Sequence, residues 1–270
     1  PSLFTTTDNS QRLVASGVPG SEFNPIVLHE IVLPSPTGNE IKYKFTYNVW
    51  GEVDKVVLPS GGYERFEYAK VPSISDVDGP YAEANRGVIK HWISATGNSA
   101  DEVLWTYSST GTTTTVTNPS GARAERSLHA ANGITYYGFE DARAGRAYEE
   151  RTYNASNQMI RRTLTEWTQD GPLPGGHSTA TRNPRPTKTV ELLLDTTGDA
   201  LAKTTTTQYD AYLNATVTNQ YEFVTVDQYT GQNAAISSIS QGSLVRTEEM
   251  TYLVNDLLDL DLDLEAGALT

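Results

Sequence analysis

The sequence predicts an all-β chain of tandem antiparallel β-hairpin repeats forming one long sheet. Three observations carry that expectation. Thr, Tyr, Val and Gly are prominent, with Thr runs at Thr112–Thr115 and Thr204–Thr207, and β-branched and aromatic residues suit a pleated, half-buried surface. Apolar and polar residues alternate with period two over the best-defined segments. Turn residues recur at fixed offsets, which is the mark of a repeat.

The alternation is clearest at "IKYKFTYN". Ile41, Tyr43, Phe45 and Tyr47 fall on one face of a strand, and Lys42, Lys44, Thr46 and Asn48 on the other. "NVWG" follows as a four-residue turn whose Gly51 can take a positive φ. Val53 to Leu58 returns as a second strand, "PSGG" turns the chain again, and Phe66 and Tyr68 share a face of the next strand. The unit is strand, tight turn, strand, tight turn, with a period of roughly 20 residues.

From Tyr47 the pattern runs Gly51, Pro59, Gly61. From Tyr107 it runs Gly111, Pro119, Gly121, at the same offsets. Partial copies follow. "YNASNQMI" sets Asn157 four after Tyr153, and Asn tolerates the left-handed region better than most residues. "YDAYLNATV" sets Leu213 four after Tyr209, which implies a turn of another type. These offsets make Gly51, Pro59, Gly61, Gly111, Pro119, Gly121 and Asn157 turn-makers. They make Tyr47, Tyr68, Tyr107, Tyr153 and Tyr209 repeat aromatics that stack between units.

The whole chain, 1–270, reads as one repeat array. Residues 1–29 are an entry segment and 30–170 a first group of hairpins. Residues 171–186, "GPLPGGHSTATRNPRP", form a Pro/Gly-rich loop. Residues 187–253 are a second group, and 254–270 an acidic, Leu-rich strand or tail. Residues 72–81 make another loop, and the stretch Tyr81–Trp92 favours strand over helix because of Gly87 and its β-branched residues.

These residues carry a resemblance. "YNVWGE", "YDAYLN" and "YNASNQ" resemble YD repeats. With "KYKFTYNVWGEVDKVVLPSGGYERFEY", "TVTNPSGARAERSLH" and "NPRPTKTVELLLD", the chain is similar to bacterial RHS-repeat proteins over most of residues 30–253. The array is degenerate, since the copy at Tyr209 alone has Asp second and no copy keeps the full core. The resemblance implies a ribbon of hairpins coiling into a hollow shell, which in toxin-bearing members encloses a C-terminal effector. The family's self-cleaving core segment has a D-P-x-G-type motif. "NPSG" at Asn118–Gly121 has Asn in place of Asp and lies inside a repeat, so that activity is not carried over.

Chemistry is sparse. A net charge of −13 and a pI near 4.7 disfavour a nucleic-acid groove. Without cysteine there is no disulfide, thiolate nucleophile or Cys metal site, and this fits an exported protein as well as a cytosolic one. No apolar stretch approaches the ~20 residues of a membrane-spanning helix. The sequence opens at Pro1 with no Met or signal peptide, which reads as a processed product or a fragment.

His29, His91, His129 and His177 are scattered, and no phosphate loop, dinucleotide turn or nucleophile elbow occurs. Glu149–Glu150 and Glu248–Glu249 are adjacent, so on strands their side chains point to opposite faces. The run "LLDLDLDLEAGALT" alternates Leu with acid. Its ordinary reading is a solvated acidic face or a charge-protected edge; the sharper reading is a calcium ladder on Asp259, Asp261 and Asp263. Tyr43, Phe45, Tyr47, Trp50, Phe66 and Tyr68 read as core between units or as a sugar platform.

The expectation is a non-enzymatic, cofactor-free structural protein of an exported microbial system, acting as shell, scaffold or filament subunit. Its partners would be copies of itself or further repeats of a longer chain. A cell-surface adhesin binding glycan and a toxin-shell fragment enclosing cargo are the alternatives.

Overall fold

The structure, a computed structural model, describes residues 13–14, 22–23, 26–35, 38, 40–72, 86–131, 133–135, 138–172, 179–195 and 198–252. A short hairpin pairs β1 (Leu13–Val14) with β2 (Glu22–Phe23). The main sheet begins with β3 (Glu30–Leu33), β4 (Ile41–Tyr47), β5 (Val53–Val57), β6 (Tyr63–Lys70), β7 (Arg86–Ser94), β8 (Val103–Ser109), β9 (Thr113–Thr117) and β10 (Arg123–Leu128). A two-stranded excursion, β11 (Ile134–Thr135) with β12 (Gly138–Phe139), interrupts it. The sheet resumes with β13 (Ala147–Tyr153), β14 (Met159–Asp170), β15 (Arg182–Leu193), β16 (Ala200–Tyr209), β17 (Ala215–Tyr221) and β18 (Val224–Val226). Helix α1 (Gln228–Asn233), a 3-10 turn at Ile236–Ser238 and β19 (Leu244–Glu249) complete it.

The main sheet has fifteen strands, and every pairing in it is antiparallel. Strands follow in chain order from β3 at one edge to β19 at the other, with β18 continuing β17 along the same side of β16. The all-β expectation holds, and the architecture is that of hairpins in tandem.

Period two is visible in the register. Glu149, Leu164, Val190 and Thr204 lie side by side across four strands, as do Arg151, Arg162, Leu192 and Ala202. Val190 and Leu192 are fully buried on this face. The neighbouring rows, Glu150–Thr163–Glu191–Lys203 and Arg161–Leu193–Leu201, point the other way, and Leu201 there is 44% exposed.

The core gathers under α1. Leu164, Val190, Leu192, Leu194, Ala200, Ala202, Val226 and Ile239 form it, with Met159, Val224, Ala234 and Ile236 packed around. Asp227 caps α1 by accepting from the Thr230 N–H at 2.9 Å. Gly231 is buried where the helix meets the sheet, and a Cβ there would stand 2.8 Å from Ala200 Cβ.

Two sequence expectations need correction. The Pro/Gly-rich segment 171–186 is not wholly a loop, because β15 starts at Arg182. Pro184 and Pro186 are tolerated there because β15 pairs with β14 along this stretch while its ladder with β16 starts only at Lys188; a proline missing its N–H suits an edge. Asn183 has φ 54, and register shifts accommodate the irregularity. The segment therefore joins the two groups of hairpins into one sheet rather than spacing them apart. The second group, 187–253, is interrupted by α1, which the alternation did not foretell. The strand reading of Tyr81–Trp92 holds over its described part, from Arg86; residues 73–85, which include most of the 72–81 loop, and residues 254–270 lie outside the described residues.

Candidate functional site

The recurring local structure is a five-residue turn. At Asn48, the N–H donates to Glu52 O at 3.0 Å and the C=O accepts from Gly51 N at 3.0 Å. Gly51 sits at φ 79. This is a three-residue hairpin loop closed by a left-handed residue, which produces the bulge seen between Thr46 and Tyr47. The Asn48 Oδ1 accepts from the N–H of Trp50 and of Glu52, at 2.9 and 3.1 Å. One side-chain oxygen thus satisfies two turn amides.

The same bonds recur at Asn118, with Gly121 at φ 86, and at Asn154, with Asn157 at φ 61. They recur again at Asp210, whose Oδ1 accepts from Tyr212 and Asn214 at 2.9 Å each. The Leu213 turn is therefore not of another type: Leu213 occupies the left-handed position at φ 69. "NPSG" is a member of this turn set. Leu58–Gly62 has the same backbone bonds, with Gly61 at φ 90, but Leu58 offers no side-chain acceptor.

Gly111 belongs elsewhere. Its turn closes through Thr110 N–H to Thr113 O at 2.9 Å, with Gly111 at φ 90. The offset match between Tyr47 and Tyr107 therefore joins two turn classes. Pro59 and Pro119 stand just after the first residue of their turns, where a fixed φ costs nothing.

Three of the five repeat tyrosines act through their hydroxyls. The O–H of Tyr47 donates to Leu28 O at 2.7 Å, that of Tyr68 to Val53 O at 2.8 Å, and that of Tyr209 to Pro186 O at 2.9 Å. Each reaches back to the preceding strand or its approach. Tyr153 lies under the Arg123 guanidinium at 3.8 Å, and Tyr107 opposes Val116 across β8 and β9. Among the described residues, the aromatic pairs are Phe66 with Tyr68, Phe66 with His91 and His129 with Tyr148. Among the described residues no ring pair joins two repeat tyrosines, and Tyr68 alone of them has an aromatic neighbour, Phe66. Trp50 is covered by Arg86 at 4.6 Å.

Two ionic networks pin distant segments. Glu102 accepts both ends of the Arg65 guanidinium at 2.7 Å and the Tyr63 hydroxyl at 2.6 Å, while Arg65 lies 3.6 Å over Trp92. The Arg65 and Tyr63 hydrogen bonds hold the Glu102 carboxyl down to about 2. Arg162 is buried beneath α1, bonded to Glu149 at 2.5 Å and to the carbonyls of Gly231 and Ala234 at 3.1 and 2.9 Å. It satisfies carbonyl acceptors at the C-terminal end of α1. The sequence carries no spacing signal for this contact, since its partners lie 69 and 72 residues away.

The remaining candidates stay apart. Glu149 faces Arg162 and Arg151, whereas Glu150 pairs with Arg126 and Glu248 with Arg246. His91 sits 3.0 Å from Glu64 and stacks on Phe66. Burial, reinforced by Arg143, pushes the His129 imidazole down. Among the described residues no group of three His, Cys, Asp or Glu is placed to hold a metal ion. Asp259, Asp261, Asp263 and His177 lie outside them. No helix among the described residues is long and apolar enough to cross a membrane.

Among the described residues, shallow cavities open on the sheet. One of about 360 Å³ is lined by His129, Arg143, Tyr148, Trp167 and Ile236, among others. A second of about 210 Å³ lies between the β13–β14 turn and α1, lined by Tyr153, Asn157, Gln158, Met159, Gln228 and Gln232. A third of about 180 Å³ is lined by Trp105, Asn118, Arg123 and Tyr153, with smaller residues around them.

Neither a protein-family model nor a curated protein sequence matches the chain. Among solved structures, the chain is similar to one in the crystal structure of TcdB2-TccC3-Cdc42, at 12% identity and a TM-score of 0.24; the match covers 89% of this chain and 11% of that chain.

Proposed function

We propose that this chain is a non-enzymatic structural module of an exported microbial RHS/YD-type system, a length of wall whose working part is the sheet itself. The observation that supports this is the continuous meander from β3 to β19, in which turns of one hydrogen-bond pattern recur at Asn48, Asn118, Asn154 and Asp210. Such a surface encloses, spaces or connects.

In this reading the two edges are joints. Val32 on β3 is 50% exposed and Val245 on β19 is 63% exposed, and neither strand has an outer partner among the described residues. Fourteen strands lie on the path from β3 to β19 (fifteen less β18), so the two edge strands run in opposite directions. A following unit set in the same orientation continues the antiparallel order. Setting Leu33 opposite Leu244 and Val32 opposite Val245 also keeps each face on its own side. The next unit is a further repeat of a longer chain or another copy, and a heterologous joint that does not close gives a filament.

Particle imaging of the purified chain tests this. Hollow particles support a shell and exclude the filament, and long fibres do the reverse. A chain that stays monomeric at every concentration, with Val32→Lys and Val245→Lys changing nothing, overturns the joint.

A further inference from the structure

We propose that the cavity between the β13–β14 turn and α1 is a binding site for a neutral saccharide, one sugar ring in size. The proposal goes beyond the structural role and does not depend on it.

The lining is distinctive in chemistry. Tyr153 and Met159 supply apolar surface, and Asn157, Gln158, Gln228 and Gln232 supply four neutral amides. Gln228 and Gln232 stand one turn apart on α1 and so share a face. No charged residue lines the cavity.

Each amide keeps unused hydrogen-bonding capacity. Asn157 Oδ1 accepts from Arg123, which leaves its NH₂ free. Gln158 Oε1 accepts from Asn154 at 2.9 Å, which leaves its NH₂ free. Gln228 donates to Asp195 O at 3.1 Å, which leaves its Oε1 free. The Gln232 side chain has no hydrogen bond among the described residues. Donors and acceptors are thus both present around one aromatic ring. A polyol needs this mixture, because each hydroxyl both donates and accepts. One face of the Tyr153 ring is covered by Arg123 at 3.8 Å, and the ring together with Met159, its partner across β13 and β14, gives the cavity its apolar surface for sugar C–H groups.

An extended peptide fits less well. Both strands bordering the cavity are paired on each side, β13 by β10 and β14, and β14 by β13 and β15. No free ladder remains for a peptide backbone to join. An anion is disfavoured because the nearby guanidinium of Arg123 is already paired with Glu125 and bonded to Asn157.

Saturation-transfer NMR on the whole chain, with the methyl glycosides of glucose, galactose and N-acetylglucosamine, tests the site. At least one glycoside is expected to bind with a Kd of about 1 mM, the weak affinity that a small polar ligand reaches. Gln232→Ala removes no bond within the protein. It is expected to leave the thermal midpoint unchanged and to weaken binding about fivefold, one hydrogen bond's worth. No transfer from any of the three at about 10 mM, ten times that Kd, overturns the proposal. So does binding that is indifferent to both Gln232→Ala and Gln158→Ala, and so does capture of neutral peptides in place of glycosides.

Discussion

Asp210 holds Leu213 in the left-handed backbone region. Its Oδ1 accepts from the amides of Tyr212 and Asn214, at 2.9 Å each, and its C=O accepts from the Leu213 N–H at 3.2 Å. Leu213 stands at φ 69, where the equivalent residues of the Asn48 and Asn118 turns are glycines at 79 and 86. A branched L-residue pays about 1–2 kcal/mol for that conformation, so the carboxylate turn is strong enough to impose it.

Leu213→Gly is therefore expected to stabilise the chain by about 0.5–1 kcal/mol, the relief of strain less the backbone entropy a glycine adds. Leu213 is partly exposed and outside the core cluster, so little packing is lost. Urea unfolding measures it, and a lower midpoint for the glycine variant would show that the turn is not strained. Gly51→Val is the mirror experiment. It puts a β-branched residue at φ 79 and is expected to cost about 1–3 kcal/mol.

Arg162 ties the sheet to α1. Arg162→Met leaves buried Glu149 with Arg151 alone, at 2.9 Å, and strips a donor from the carbonyls of Gly231 and Ala234. Breaking one side of a buried pair costs about 3–5 kcal/mol, and a loss near the lower figure is expected because Arg151 remains. The double variant Arg162→Met with Glu149→Leu should recover much of it. Hydrogen exchange at α1 offers a local check, since its amides should lose protection first.

Gly231 is required by proximity. With α1 seated on β16, an added Cβ meets Ala200 Cβ at 2.8 Å and Leu192 Cδ2 at 3.6 Å. Gly231→Ala raises helix propensity yet is expected to destabilise by about 1–3 kcal/mol through overpacking. Pairing it with Ala200→Gly removes the offending methyl, and a double variant no better than the single would show that the close approach is not the cause.

The strands were legible because alternation encodes them directly. Ile41 to Tyr47 is a strand in both readings, and the turns at Gly51, Gly61 and Gly121 are glycines for a visible reason. The side-chain oxygens of Asn48, Asn118, Asn154 and Asp210 that hold four of the turns are less legible, because the Tyr–Gly spacing carries no information about them. The left-handed Leu213 could not be read from local preference, which argues against it. Arg182 to Pro186 was misread because proline marks loops unless one knows that β16 does not yet flank that end of β15. Helix α1 is six residues long, shorter than the window over which helical periodicity shows. Arg162 beneath it is a long-range contact with no local trace, and the amides around Tyr153 come from a turn and a helix that only the fold brings together.

The carboxylates give the array an acid limit. The Arg65 guanidinium and the Tyr63 hydroxyl hold Glu102 at about 2, below its ordinary 4.5, and the Arg143 guanidinium likewise holds Asp141 at about 2. The Asn214 amide and the turn N–H groups push Asp210 down as well. A carboxylate with a depressed folded pKa stabilises fully above its unfolded value, and that stabilisation is lost as the pH falls through the folded one. Thermal midpoints should thus be flat at neutral pH and fall between pH 4.5 and about 2. Glu102→Gln cannot ionise and keeps at most a neutral bond to Arg65. It should start from a lower midpoint at neutral pH and show a shallower fall through the same window, and curves that run parallel down to pH 2 would mean that the Arg65–Glu102 clamp contributes nothing to the acid response.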